Sequence, residues 1–303
     1  MRSQEDAEPL WGTATSVAGY LLVEEPGPWG TGGVPESRLG PELTEGLRAV
    51  ARRRGVKLLL VRRPGPERRA RDEGRRVFLV DARRTRPAVL SRTCAQQDLV
   101  SAADADTGWE RGPDLLHLVC THGRKDWCCA VRGRPVAAAL AALRPDAVWE
   151  CSHLGGDRFA ASVLTLPTGV LHGRVAPQDA AEVVEAAEAG RLVPRLLRGR
   201  TADAVVVQAA DARARTAQGL DALDALVPVQ VRREGPDASG PGTTWRVRFD
   251  QGGEPLVVVL SEGRADEQQL TCGAQSPARA RTWDLVALER GALERDALER
   301  GPA

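Results

Sequence analysis

Hydrophobic patterning passes through the same order of elements twice in the first two thirds of the chain, and such a repeat leaves few architectures open. In the first pass GYLLVEEPGPWG reads as a strand running into a Gly/Pro loop. Pro41 to Arg54 reads as a helix with Leu43, Leu47 and Val50 at helical spacing. Val56 to Val61 follows as a buried strand, Arg76 to Asp81 and Pro87 to Ser91 as a hairpin, and Gln96 to Ala103 as a closing helix. The second pass runs Leu115 to Val119 as a strand into CTHGRKDWCC, Pro135 to Leu143 as a helix and Ala147 to Glu150 as a strand. A hairpin in SVLTLPTGVLHGRV turns at Pro167 to Gly169, and a helix from Gln178 to Glu188 closes the unit.

Strand-helix-strand followed by a hairpin and a helix is the order of a thioredoxin-like α/β sandwich, in which helices cover a mixed sheet. The expectation is an α/β fold of two tandem thioredoxin-like lobes, residues 1–108 and 109–195, with a small α+β appendage over residues 196–303. The 303-residue length, about twice that of a typical domain, has room for this. In the appendage, Thr201 to Leu226 is rich in Ala, Arg and Asp and reads as helical, and three strands are expected around Val229, Val247 and Val258. REGPDASGPGTT reads as a loop, and ALERGALERDALERG, beyond the hydrophobic anchor Trp283, as a surface helix.

Composition removes several classes of function. Lys plus Arg number 42 against 41 Asp plus Glu, so no basic field gathers nucleic acid or anionic lipid. The hydrophobic 42% is spread in short runs, none reaching the roughly 18 apolar residues of a membrane span. MRSQEDAEPLWG is acidic and carries no signal-peptide stretch, so a soluble cytoplasmic protein without nucleic-acid or membrane partners is expected. Six cysteines are too few and too clustered for a secreted disulfide scaffold of this length; in a reducing compartment clustered thiols point to metal or redox chemistry.

Cys120, His122, Cys128, Cys129, Cys151 and His153 fall near the ends of two strands, DLLHLV and DAVWE. In a β-α-β unit those strands are parallel neighbours, and the loops leaving their carboxyl ends converge on one edge of the sheet. Thiolates with imidazole suit zinc or a mixed Cys/His iron-sulfur cluster. The adjacent pair Cys128 and Cys129 lacks the C-x-x-C spacing of a dithiol catalyst, which weakens a thiol-redox reading.

CTHGRKDWCC, ECSHLGGDRFA and SVLTLPTGVLHGRV, with EPLWGT and LLVEEPGPWG nearer the N-terminus, resemble the sucrase/ferredoxin-like family of thioredoxin-like ferredoxins over roughly residues 8 to 200, with a weaker echo at LTCG around Cys272. The resemblance implies a two-iron two-sulfur cluster held by two cysteines nine residues apart and by a pair of histidines in an H-x-G-G-H motif. Carried over, the cysteines are Cys120 and Cys129 and the first histidine is His153. The second histidine position holds Asp157, because the motif here reads HLGGD. Asp157 by register, and Cys151 or Cys128 by thiolate softness, remain open as the fourth ligand. Gly155 and Gly156 would allow the ligand loop to pass under the cluster. His122, inside the ligand loop, would hydrogen-bond a cluster sulfur, meet a partner or face water.

The function expected is that of an electron carrier whose partner is a redox protein, a reductase or an acceptor, with no substrate turned over by the chain itself. A structural zinc site is the second class. A hydrolase is a third, and it lacks an identifiable carboxylate pair. Arg124, Lys125 and Arg158 flank the ligand loops, either as solvated surface, to offset cluster charge or to dock an acidic redox partner. Trp127 reads as a cluster shield or a core anchor. His117, His172, Cys94 and Cys272 read as structural, and GPWG around Trp29, without Cys or His, marks the first lobe as metal-free.

Overall fold

The computed structural model describes residues 8–65, 74–83, 85, 87–235, 243–271, 274 and 276–290. Strand β1 (Gly19–Glu24) is buried on both faces, as an interior strand between helix-covered neighbours must be. Helix α1 (Pro41–Arg54) starts with Pro41, where a missing N–H costs no hydrogen bond, and stops at Gly55 in the left-handed conformation, φ 64°. Its stripe of Thr44, Leu47, Val50 and Ala51 is buried, and Arg52, Arg53 and Arg54 complement the negative end of the helix dipole.

β2 (Lys57–Arg62) runs parallel to β1, β3 (Arg75–Asp81) antiparallel to β1, and β4 (Ala88–Cys94) antiparallel to β3. The two-residue strand β5 (Glu110–Arg111) edges the sheet, and the closing helix α2 (Leu99–Asp104) follows a single 3₁₀ turn. The second unit repeats the pattern: β6 (Leu116–Cys120) parallel to β7 (Val148–Cys151), β8 (Val163–Leu166) antiparallel to β6, and β9 (Val170–His172) antiparallel to β8. Between β6 and β7 lies α3 (Trp127–Leu143), and α4 (Ala180–Glu188) follows the hairpin. Helix α3 begins eight residues before the expected Pro135, so Cys128 and Cys129 sit in its first turn rather than in a loop. Pro135 lies inside the helix, near the exposed Val131 and Arg134, where a lost backbone hydrogen bond is open to water.

The two units share one ten-stranded mixed sheet, in the order β10-β9-β8-β6-β7-β2-β1-β3-β4-β5, where β10 is Leu197–Arg200. They join where β2 and β7 pair antiparallel, Val61 opposite Cys151 and Arg62 opposite Glu150. The ion pair of Arg62 and Glu150, 2.7 Å and buried, fastens that seam. Alternation sorts the side chains: Leu21, Val23, Leu60 and Val77 pack with α1, and Val119, Val148 and Val163 pack with α3 and α4. Tyr20, Leu22, Val61, Phe78, Leu118, Trp149 and Cys151 form one core across both units on the opposite face.

Residues after β10 build α5 (Val205–Gln218) and an antiparallel sheet of four strands, β11 (Val227–Glu234), β12 (Thr243–Gln251), β13 (Glu254–Gln268) and β14 (Ala278–Arg290). Apolar residues of α5, among them Val206, Ala210 and Ala214, pack with Phe249, Leu260 and Trp283 of that sheet. The fourth strand corrects the expected three. It also takes in Ala287 to Arg290, the first phrase of the expected tail helix, because pairing with β13 overrides the helical propensity of ALER. The rest of that tail and Cys272 lie outside the described residues. Among the described residues no helix is long and apolar enough to cross a membrane.

Candidate metal centre

β6 delivers Cys120 to the end of the sheet, where it pairs in register with Cys151 of β7. The chain turns through Thr121 to Asp126, and α3 then carries Cys129 back over the strand end. Gly133 makes that approach possible: a Cβ there would lie 2.2 Å from the Cys120 carbonyl oxygen. After β7 the chain reaches His153, then turns through Gly155 (φ 93°) and Gly156 (φ 69°) into a 3₁₀ turn over Asp157–Phe159. A Cβ on Gly156 would meet Nη2 of Arg198 at 2.4 Å.

These turns bring the Sγ atoms of Cys120 and Cys129 and a ring nitrogen of His153 within 4.8 Å of one another. A second triad, Asp126, His153 and Asp157, meets the same limit and shares His153. Cys120 and Cys129 are each 2% exposed and Asp157 is equally buried, so the ligand atoms face protein rather than bulk water. Cys151 is fully buried and belongs to neither triad; Cys128 points its thiol at the Asp157 carbonyl oxygen, 3.6 Å away.

The thiols and imidazole are already polarised. A hydrogen bond from Cys129 holds the Cys120 thiol far below its ordinary value, helped by His153 and against the cost of burial, while Cys129 is pushed up by the same bond and by Cys128. Burial opposes charge on His153, but Cys120, Asp126 and Asp157 outweigh it and its pKa rises. Asp126 is raised by burial and by Asp157. A buried thiolate beside a thiol and an imidazole is a site where a cation takes the place of shared protons. Nδ1 of His153 is buried without a hydrogen bond, 3.6 Å from Asp126. Two soft thiolates and one imidazole fit zinc or an iron-sulfur cluster.

His122 stands apart from both triads. It is 3% exposed, Nε2 lies 2.7 Å from the Gly30 carbonyl oxygen, and its ring meets Trp29 edge-on, centroids 5.9 Å apart. The loop after β1 therefore packs on the loop after β6. Trp127 is 66% exposed, which excludes both a cluster shield and a core anchor: it occupies the solvent side of the first turn of α3. Arg158 is not free surface; it pairs with Glu8 through two contacts of 2.7 and 2.8 Å and lies over Phe159. Arg124 and Lys125 are exposed. His117 bonds Thr165 through Nδ1, and His172 receives the Val193 N–H; both are buried.

Sequence reasoning missed Asp126, Lys57 and Arg198. Asp126 had a local signal, an aspartate directly before a helix start, but that start was placed too late. Lys57 and Arg198 come from distant strands and no local pattern marks them.

The fold and the site together define a mixed α/β protein with two buried cysteines and a partly exposed histidine, grouped closely enough to hold a metal ion, at one end of a sheet. The sucrase/ferredoxin-like family model matches residues 10–199, and the chain belongs to that family. Comparison with curated proteins and with solved structures found no match.

Proposed function

We propose that this chain is an iron-sulfur electron-transfer protein that holds a two-iron two-sulfur cluster by mixed Cys/His ligation. The observation that carries this reading is the convergence of the buried Cys120 and Cys129 with the partly exposed His153 within 4.8 Å, in a member of the sucrase/ferredoxin-like family. When bound, such a cluster accepts and returns one electron at a time. The chain's own residues supply two buried thiolates and one partly exposed imidazole. For the fourth position the geometry favours Asp157, which shares a triad with His153, over Cys151, which belongs to neither triad. Each half of the large sheet is proposed to be thioredoxin-like, with boundaries near residues 108 and 195. The partner is proposed to be a redox protein meeting the exposed Arg124 and Lys125 beside the ligand loop. A reducing, cytoplasmic setting is proposed, in which clustered thiols stay available as ligands.

Purification without oxygen followed by iron, sulfide and zinc analysis tests the proposal. Brown protein with equal iron and acid-labile sulfide is expected. A structural zinc site is the second reading, and the buried carboxylates of Asp126 and Asp157 beside His153 favour it. Colourless protein loaded with zinc after reconstitution with iron and sulfide would establish that reading and overturn the first.

A further inference from the structure

Three of the four arginines buried among the described residues, Arg62, Arg198 and Arg215, differ in how their charge is balanced. Arg62 faces Glu150 at 2.7 Å and Arg215 faces Asp211 at 2.7 Å, so each has a carboxylate of its own. Arg198, 1% exposed, has only neutral oxygens: Nε bonds Thr13 Oγ1 at 3.0 Å, Nη1 bonds the Gly155 carbonyl at 3.0 Å and Ser162 Oγ at 3.1 Å, and Nη2 bonds the Thr13 carbonyl at 2.6 Å. Among the described residues no carboxylate pairs with it. A buried cation without a counter-charge is costly, so a structure that keeps one holds an anion nearby.

Lys57, one of only two lysines in the chain, repeats the pattern from the other side. It is half-buried at the start of β2, its Nζ lies 3.5 Å from the Leu154 carbonyl oxygen, and no described carboxylate pairs with it. Leu154 and Gly155 are adjacent in the turn that follows His153, so the two cations grip the ligand loop at consecutive carbonyls. Burial lowers both cations, Arg198 to about 9 with Arg158 adding to the shift; the opposing charges are Cys151 then Cys120 for Lys57, and Cys120, then the Glu8 carboxylate that pairs with Arg158, then Cys129 for Arg198.

We propose that Lys57 and Arg198 form a cationic clamp that offsets a net negative metal centre and favours its reduced state. This rests on the iron-sulfur reading and adds a charge class to it. Two ferric ions, two sulfides, two thiolates and one Asp157 carboxylate carry one net negative charge, and one added electron makes it two. With a second neutral histidine the oxidised centre would be uncharged and would need no such clamp. In this chain the aspartate in HLGGD and the two unpaired cations are parts of one charge balance. Lys57 and Arg198 are positioning residues: they act on the loop and the field and ligate nothing.

The test is the midpoint potential of anaerobically reconstituted protein, measured with its iron and sulfide content, for the wild type, K57M, K57R, R198Q and R198K. Each neutral variant is expected to keep its iron and to lose at least tenfold in electron affinity, about 59 mV downward for one electron. K57R and R198K should recover most of that loss. Neutral variants with full iron and the wild-type potential overturn the clamp. If R198Q fails to fold, K57M decides alone, because Lys57 stands at a partly exposed strand end. If the wild type takes up only zinc, the iron-sulfur reading falls and the clamp is read separately: tenfold faster zinc release to a chelator from K57M supports it, and equal retention overturns it.

Discussion

The two halves of the ten-stranded sheet share strand order and helix placement, yet they put different chemistry at the ends of equivalent strands. After β1 the first half has EPGPWG: the Trp29 indole donates to the Glu25 carbonyl oxygen at 2.9 Å, and the Arg62 guanidinium lies 4.2 Å from the Trp29 ring. After β6 the second half has CTHGRKDWCC, whose Cys120 and Cys129 group with His153 closely enough to hold a metal ion. One half uses the strand ends for an apolar and ionic seam, the other for soft ligands. A scaffold of this kind sets where a site can form, and the loop residues decide whether one does. The halves are not independent, because His122 of the ligand loop leans on Trp29 and Gly30.

The sharpest way to break this comparison is to exchange the losses. Cys120→Ala should abolish nearly all bound iron while leaving the far-ultraviolet circular dichroism intact; Trp29→Ala should leave the iron content near one cluster per chain. Its cost falls on stability instead, about 3–5 kcal/mol by urea unfolding, since Trp29 is 3% exposed. Iron loss in the tryptophan variant equal to that in the cysteine variant would show that the halves do not divide the work.

Acid should separate the halves next. The first half has no histidine, whereas His117 and His172 of the second are buried and held low, His117 at about 4 and His172 at about 3, by burial. Because the unfolded chain takes up these protons first, their contribution is complete above the ordinary value of 6.5 and is lost as pH falls towards 4 and 3. At full effect His117 accounts for roughly 3 kcal/mol and His172 for roughly 5 kcal/mol. His172→Asn should flatten the decline in stability between pH 6 and 4, read by denaturant titration; an unchanged slope would refute the assignment. Gly133→Ala should cost about 1–3 kcal/mol and lower metal occupancy, because its Cβ would lie 2.2 Å from the Cys120 carbonyl oxygen. Gly46→Ala, whose Cβ would meet the Val100 side chain at 2.7 Å in the first half, should also cost stability but leave metal occupancy alone. The smallest effect is expected from His122→Ala, about 1 kcal/mol through loss of the Gly30 hydrogen bond, with iron content unchanged.

What the sequence made legible follows from how local each signal is. Helix α1 was readable to the residue because Pro41 and Gly55 mark its ends. Helix α3 was not, because Pro135 is a strong start signal that here sits mid-helix. The seam between β2 and β7 rests on two residue pairs separated by some 90 positions, and nothing local encodes it. Strand β14 carries a helix-forming phrase that only its pairing with β13 overrules. In the centre, Cys120, Cys129 and His153 lay in a continuous motif and could be nominated. Lys57 reaches the loop from the central strand β2 and Arg198 from the edge strand β10, and their meaning appears only when it is seen that no described carboxylate pairs with either.

The central claim is that Cys120, Cys129 and a single histidine, His153, hold a two-iron cluster. The most direct test is pulsed electron paramagnetic resonance of the dithionite-reduced protein, prepared without oxygen. The account predicts a rhombic spin-one-half signal coupled to one imidazole nitrogen, and loss of that coupling in His153→Cys. A signal coupled to two imidazoles, or no paramagnetic signal from fully reconstituted protein, would contradict it.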